Sequence, residues 1–248
     1  MVKKLIINGD DFGITEGVTK GIIDSYTDGV LTSTTLLMNA PFTEFAIEEA
    51  KKHPDLGVGI HLALTFGRPL VSGAKSFTDS AGNFLKLADY SSHDVEIDLE
   101  ELHAEWKAQM EHYLRLVGKL PTHIDSHHHV HCLPQHHSVV TQLAKEYDLP
   151  VRDSRQINLD TYEDAIFEVN FYGADLTVET LTDMLAKDDE ILEVMCHPAY
   201  LDQRTYEMTS YHLPRMKEME ILRSEELRAF VDQNGIELIT FADLKKKD

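Results

Sequence analysis

The stretch KKLIINGDDFG, residues 3–13, decides the fold class. Its short apolar, β-branched run at residues 3–8 ends in Gly9 and predicts a buried strand. Residues 15–26 (TEGVTKGIIDSY) follow with helical spacing, and Thr15 is placed to cap that helix. A strand followed at once by a helix is the repeating unit of parallel α/β sheets.

The same alternation continues along the chain. Further strands are predicted at residues 31–38, 56–64, 121–130, 150–152, 165–171, 191–196 and 236–240. Further helices are predicted at residues 41–53, 94–117, 135–147, 178–186 and 213–233. Residues 66–93 have mixed polarity and predict a long loop outside this scaffold. The pattern predicts one (β/α) barrel-like domain over residues 1–248, related to the TIM barrel and either complete, incomplete or distorted.

The composition restricts the partners. A formal net charge of −20 repels phosphate backbones and anionic membranes, so we expect no nucleic acid and no membrane as partner. Two cysteines are too few for a secreted disulfide scaffold. The apolar run at the start is shorter than the roughly 7–15 residues that a signal peptide needs. We therefore expect a cytoplasmic protein with reduced thiols, and a neutral sugar is a compatible substrate.

The strongest functional signal is HIDSHHHVH at residues 123–131. If the segment continues as a strand, alternate side chains share one face. Those side chains are His123, Asp125, His127, His129 and His131. Buried imidazoles need partners, and several of them around a carboxylate suit a divalent metal. The alternative is a solvated polar loop. The pattern favours a metal site at a strand end, where surplus histidines orient ligands or bind substrate.

Two further strand ends carry metal-binding side chains. Asp10 and Asp11 follow the first strand, and two adjacent carboxylates are hard to keep ionised without a cation. One carboxylate can bind the metal while the other acts as general base; an Asx-type turn is the structural alternative. His61 lies near the end of an apolar strand, where a satisfied core histidine is the alternative.

Three residues near other strand ends complete the candidates. His197 can act as general acid, with its ring protonated near neutral pH. Its neighbour Cys196 is expected to be a small buried hydrophobe rather than a zinc ligand. Arg152 can orient a substrate or a nearby carboxylate, or form a plain structural ion pair.

Together these motifs resemble the YdjC-like carbohydrate deacetylases, the family of the chitooligosaccharide (chitin disaccharide) deacetylases. The resemblance extends over essentially the whole chain. The matching segments are NGDDFG (8–13), GVLTSTTLLMN (29–39), GIHLALTFGRPL (59–70), PTHIDSHHHVH (121–131) and EVMCHPAY (193–200).

The resemblance implies a barrel-like fold and one divalent metal. It implies metal ligation by Asp11, His61 and His127, with Asp10 as general base and His197 as general acid. The implied reaction is removal of the N-acetyl group from an amino-sugar, most simply a chitooligosaccharide such as diacetylchitobiose.

Further roles are expected from the residue types themselves. Substrate contact or support of the ligands is expected of Asp125, His128, His129 and Arg152. Magnesium or zinc is the expected metal, with manganese, cobalt and nickel left open. The resemblance also implies a small homo-oligomer, a dimer.

Two other functions remain open at this point. A metal-dependent phosphoesterase on a similar barrel would need further metal ligands and basic residues to hold phosphate. A non-catalytic metal- or sugar-binding protein would use the histidines but leave Asp10 and His197 without a purpose.

Overall fold

The computed structural model of the chain describes residues 1–91 and 95–247. Parallel strands form a single sheet in the order β4-β3-β2-β1-β6-β5, and β7 pairs with β1. The strands are β1 (Lys4–Phe12), β2 (Ser33–Leu36), β3 (Gly57–Leu62), β4 (Ile124–Ser126), β5 (Ile166–Glu168), β6 (Ile191–Cys196) and β7 (Glu237–Leu238). The prediction of an α/β fold with a parallel sheet is therefore confirmed.

The helices pack outside the sheet. They are α1 (Glu16–Thr27), α2 (Thr43–Ala50), α3 (Leu87–Ser91), α4 (Leu99–Val117), α5 (His137–Tyr147), α6 (Val178–Leu185), α7 (Gln203–Met208), α8 (Leu213–Leu222) and α9 (Glu225–Gln233). Among the helices of residues 1–91 and 95–247, none combines the length and the apolar character that a bilayer span requires.

The sheet curls into a half-barrel. Arg152 follows Val151, which makes a single bridge to Ile124 at the β4 edge. The Arg152 guanidinium nevertheless contacts Glu193 of β6 at 2.7 Å, across the three strands that separate β4 from β6. Only a strongly curved sheet brings these side chains together. The assigned strands end at β4 and β5, so a complete TIM barrel is not formed within the described residues.

Strand β1 runs four residues further than predicted and carries Asp10 and Asp11 inside its end. Its pairing with β2 shifts register between Gly9 and Phe12, which marks a bulge. Asp11 has a φ of 70°, a left-handed conformation that aspartate tolerates better than most residues. The bulge lets the two adjacent carboxylates point to different partners.

The predicted strand at residues 121–130 is wrong in its second half. Only Ile124–Ser126 is a strand, and His127–Cys132 forms an irregular 3₁₀ segment. His128 and His129 have φ values of 56° and 54°, which end the alternation of a strand. The histidines of this segment therefore do not share one face.

Two predicted helices also differ. The helix predicted at 94–117 begins at Leu99. Asp98 caps it by accepting hydrogen bonds from two backbone amides. Residue 94, the predicted start of the helix, lies outside the described residues. The helix predicted at 213–233 is two helices, because Ser224 caps α9 and breaks the run. Helices α3 and α7 were not predicted, and α3 lies in the long loop expected at residues 66–93.

The amino ends of the strands are closed by an apolar cluster. Its buried members are Ile6, Ile191, Ile239, Phe241 and Leu244. The ring of His123 stacks on Phe241 with centroids 3.8 Å apart and planes at 10°. His123 therefore belongs to this end of the sheet, away from the other histidines that were predicted beside it.

Helix α4 holds the long loop by its backbone. The Glu105 carboxylate accepts the amides of Leu70 and Val71 at 3.0 and 2.9 Å. One turn earlier, Glu101 accepts the amides of Lys75 and Ser76. Glutamates four residues apart lie on one helix face, so a single stripe of α4 anchors this part of the loop.

Candidate metal centre and active site

The carboxyl ends of the strands bring the predicted ligands together. Asp11 comes from β1, His61 from β3, and His127 from the segment directly after β4. One ligand atom from each lies within 4.8 Å of the others. His127 Nδ1 is 2.9 Å and His61 Nε2 is 3.5 Å from Asp11 Oδ1. Parallel strands end at one edge of a sheet, which is why residues so distant in sequence converge.

His61 has the chemistry of a metal ligand. Its Nδ1 lies 2.7 Å from Asp125 Oδ1 and 3.1 Å from the Thr35 hydroxyl. Its Nε2 is buried and has no hydrogen-bond partner within the described part of the chain. A carboxylate that holds one ring nitrogen leaves the other free to bind a metal. The Asp-His-His set therefore fits a divalent cation.

The carboxylates around His61 favour the protonated form of its ring. Burial lowers the pKa of His61, but Asp125, together with Asp11 and Asp10, outweighs burial and raises this pKa to about 10. The ring is then an imidazolium, which supplies the positive charge that the carboxylates require. A divalent metal bound at Nε2 would replace that proton.

Asp11 has a partner that was not predicted. Arg215 of α8 places Nη2 2.5 Å from Asp11 Oδ2, and its Nε donates to the Tyr211 carbonyl. Although burial raises the pKa of Asp11, Arg215 and His127 hold it well below its usual range. Asp11 is therefore ionised, as a metal ligand must be.

Asp10 is held by Arg152. The guanidinium donates to both Asp10 oxygens at 2.7 Å, and also contacts Asp125 and Glu193. Although burial raises the pKa of Asp10, Arg152 outweighs it and lowers that pKa. Arg152 is fully buried, so it orients carboxylates and cannot contact a substrate. Asp125 is equally buried beneath His61.

His197 lies at the end of β6 and faces the same cavity. Its backbone amide donates to Glu218, and its buried Nδ1 has no hydrogen-bond partner among the described residues. Burial and Arg215 lower the pKa of His197 to about 3. The resting ring is therefore neutral, which corrects the expectation that it is protonated near neutral pH. Its neighbour Cys196 is buried and donates to the Asn8 carbonyl at 3.3 Å.

His128 and His129 line the cavity beside His127. The Thr65 hydroxyl lies 2.9 Å from His128 Nδ1, and the His129 ring packs edge-on against Phe167. Burial lowers the pKa of both histidines to about 4, so both are neutral and can accept hydrogen bonds.

Three charged residues of the site were missed in the sequence. Of the three, Glu193 was the easiest to predict from the sequence. It lies in the middle of the apolar strand ILEVMC, where a charged side chain requires a buried partner. Arg215 and Glu218 lie on buried positions of α8. Their spacing of three residues puts them on one helix face, but nothing in the sequence indicates what that face meets.

The site opens into a cavity of about 680 Å³, a volume that holds a small organic ligand. Its ionisable lining residues, apart from tyrosine, are Asp10, Asp11, His61, Lys86, His127, His128, His129, His197 and Arg215. Its other polar lining residues are Thr65, Thr209 and Ser210. The apolar and aromatic lining residues are Ile14, Phe66, Leu87, Ala88, Val169, Tyr172, Met195, Met208 and Tyr211.

Comparison with known proteins gives full-length matches. The family model described as YdjC-like protein matches residues 4–233. A carbohydrate deacetylase of Clostridium beijerinckii is 40% identical over 250 residues, covering 97% of this chain and all of that protein. A chitooligosaccharide deacetylase of Yersinia enterocolitica is 38% identical over 255 residues, covering 98% of this chain and all of that protein.

A solved structure also matches nearly the whole chain. A protein from Enterococcus faecalis V583, provisionally described as a cellobiose-phosphate cleavage protein, is 34% identical with a TM-score of 0.88. The match covers 97% of this chain and 98% of that one. Because the family model and these relatives all match nearly the whole length, the chain belongs to the YdjC-like protein family.

Proposed function

We propose that the protein is a carbohydrate deacetylase that removes the N-acetyl group from an amino-sugar, with diacetylchitobiose the representative substrate. The names of its relatives support the class of reaction. The observation that carries the proposal is the group formed by Asp11, His61 and His127, with Asp10 and His197 on the same cavity. Hydrolysis of an amide needs this combination of an electrophile, a base and an acid.

A divalent metal would be held by Asp11, His61 and His127. When bound, it would polarise the acetamide carbonyl and lower the pKa of bound water towards roughly 7. Asp125 holds the His61 ring so that Nε2 faces Asp11. Magnesium and zinc are the first metals to test.

Asp10 is the proposed general base. Its two oxygens each accept one bond from Arg152, and a carboxylate has further lone pairs with which to take a proton from the attacking water. Arg152 keeps Asp10 ionised and fixes its orientation through additional contacts to Asp125 and Glu193. Arg152 is therefore a positioning residue.

His197 is the proposed general acid. It is neutral at rest, so it has to gain a proton before it can donate one to the departing nitrogen. His197 takes its proton from solvent and delivers it to the nitrogen, while Asp10 takes a proton from the attacking water and returns it to solvent. The immediate products are acetic acid and the free amine, and transfer of the acid proton to the amine gives acetate and an ammonium group. His128 and His129 are proposed to contact the sugar, because both line the cavity with neutral rings.

Acetate release tests the proposal. The purified protein is stripped with chelator, reloaded with single divalent metals and incubated with diacetylchitobiose. We expect no acetate from the stripped protein and release after reloading with at least one metal. Absence of release with every metal, from diacetylchitobiose and from other N-acetylated sugars, would contradict the deacetylase assignment.

A phosphoesterase with two metals is less well supported. A second possible ligand group, Asp10, His61 and Asp125, shares His61 with the first. Both of its carboxylates also bind Arg152, whose positive charge occupies the position that a second cation would need. A metal count above one per chain would favour this alternative.

The expected homodimer and the cytoplasmic location are part of the proposal. Light scattering during size-exclusion chromatography measures the oligomeric state directly. A monomer at micromolar concentration would contradict the dimer without bearing on the reaction.

A further inference from the structure

Two tyrosines on one wall of the cavity have no role in the proposed reaction. Tyr172 lies in the loop after β5, and Tyr211 lies just before α8. Their rings stack with centroids 4.0 Å apart and planes at 8°. Tyr172 lines the cavity and is 52% exposed, although its ring stacks on the half-buried Tyr211. One face of Tyr172 therefore packs on Tyr211 while much of the ring remains accessible.

The pair is fixed to the same support as His197. The Tyr211 hydroxyl accepts the Gly173 amide at 2.8 Å and donates to Glu218 at 2.5 Å. Glu218 is buried and also accepts the His197 amide. The exposed ring is thus held in place before any ligand arrives, so contact with a ligand costs little side-chain entropy.

The position of His197 defines which part of a substrate could reach Tyr172. The His197 centroid is 5.7 Å from the Tyr172 centroid and 5.7 Å from the Tyr211 centroid. A ring equally distant from two parallel rings lies beside the stack, level with the gap between them. The free face of Tyr172 points away from that gap, so a ligand on it is displaced from His197 by more than the thickness of one ring.

This displacement favours the neighbouring unit over the sugar unit under attack. The acetamido nitrogen is bonded directly to its own pyranose ring, so that ring must lie close to His197 when the nitrogen is protonated. The neighbouring unit of a β-linked chain lies one residue further along. Its axial C–H groups form an apolar face that can stack on an aromatic ring.

We propose that the exposed face of Tyr172 binds the sugar unit next to the one that loses its acetyl group. The inference rests on the proposed function. It adds that Tyr172 determines how long a sugar chain the protein prefers as substrate. Tyr172 favours a disaccharide over a monosaccharide, because only the disaccharide places a ring on the platform while its neighbour meets His197.

Steady-state kinetics with two substrates test the proposal. The metal-loaded protein and its variants are compared on diacetylchitobiose and on N-acetylglucosamine. For Tyr172→Ala we expect kcat/KM for the disaccharide to fall about tenfold, mainly through KM, as for loss of one aromatic stacking contact. The monosaccharide value changes less than about twofold. Tyr172→Phe keeps a ring and recovers most of the loss.

Tyr206→Ala is the matched control. Tyr206 is 61% exposed, close to Tyr172 in this respect, and is not among the residues that line the cavity. It should leave the preference for the disaccharide unchanged. Equal losses on both substrates with Tyr172→Ala, or no loss on either, would overturn the platform while leaving the deacetylase proposal intact.

Direct binding separates the two proposals if no acetate is released. Saturation-transfer NMR then compares diacetylchitobiose on the wild type, Tyr172→Ala and Tyr206→Ala. Weaker binding to Tyr172→Ala alone supports the platform without the reaction. No binding to the wild type, or equal binding to all three proteins, contradicts the platform.

Discussion

The two ends of the sheet are built from the same strands but differ in what they bury. The carboxyl end buries a network of ionisable groups joined by hydrogen bonds and ion pairs, which includes Asp10, His61, Asp125 and Arg152. The amino end buries the isoleucine and phenylalanine cluster, with His123 stacked on Phe241. Buried charges cost free energy unless every one is paired, whereas apolar packing contributes stability outright. The amino end thus stabilises a scaffold whose other end is arranged for chemistry.

Two buried histidines, one at each end of the sheet, show the difference between the ends. His61 and His123 are both buried; His61 lies on β3, and His123 directly precedes the neighbouring strand β4. Asp125, with Asp11 and Asp10, raises the pKa of His61 against the effect of burial, whereas burial lowers the pKa of His123 to about 3. Burial alone therefore does not decide whether a histidine is charged, because its charged neighbours can outweigh burial.

The largest expected effect separates these two histidines. His61→Ala removes a proposed ligand, so metal content and acetate release should both fall below detection. His123→Phe should retain both within about twofold, because Phe can stack on Phe241 without contacting the ligands. Atomic absorption and acetate assay on the two proteins measure this. Full metal content in His61→Ala would contradict the assignment of His61 as a metal ligand.

The next largest effect distinguishes two neighbouring residues of the carboxyl end, Asp10 and Asp11. Asp10→Asn should keep the metal but reduce kcat by about 10²–10⁴-fold, the contribution typical of general base catalysis. Asp11→Asn should instead lose the metal. Metal titration together with turnover distinguishes the two neighbours, and full activity in Asp10→Asn would refute the base assignment.

A third effect concerns stability. Arg152→Met leaves Asp10, Asp125 and Glu193 without their shared cation, so the free energy of unfolding should fall by about 3–5 kcal/mol. Arg223→Met, which removes a surface pair with Asp28, should cost less than about 1 kcal/mol. Urea unfolding of the metal-free proteins at pH 7.5 measures both. Equal losses would show that the carboxyl end does not depend on its buried arginine.

The smallest effect is a pH dependence at the amino end. The pKa of His123 is about 3 in the folded chain and 6.5 for the ordinary side chain. Between these values the unfolded chain binds a proton that the folded chain does not, so stability is full above about pH 6.5 and falls as the pH falls. His123→Phe should remove up to about 1.4 kcal/mol per pH unit from that decline. Urea unfolding at pH 7.5 and 5.0 gives the difference; an unchanged slope would contradict it.

Much of the site could be anticipated, since the ends of parallel strands must meet. Asp10, Asp11 and His61 directly follow or end apolar strands, and this was enough to expect them together. The roles assigned to them remain predictions, as does the single domain. The arrangement after Ser126 could not be foreseen, because the positive φ values of His128 and His129 are set by surroundings far along the chain.

The contribution of α8 to the site could not be predicted from the sequence for a related reason. Arg215 occupies a buried position of a helix whose sequence shows no clear apolar stripe, so its contact with Asp11 could not be predicted without knowing how α8 packs. Tyr172 and Tyr211 belong to loops, whose shape is decided by tertiary contacts rather than by local preference.

The anchoring of the long loop by α4 has a consequence for how that loop can vary. Glu101 and Glu105 bind amides of the main chain, and every amino acid except proline presents the same amide. Ser76 adds a hydroxyl bond to Glu101, but the bonds at Leu70, Val71 and Lys75 do not depend on side-chain identity. The side chains at these three positions can therefore be exchanged while the path of the loop is kept.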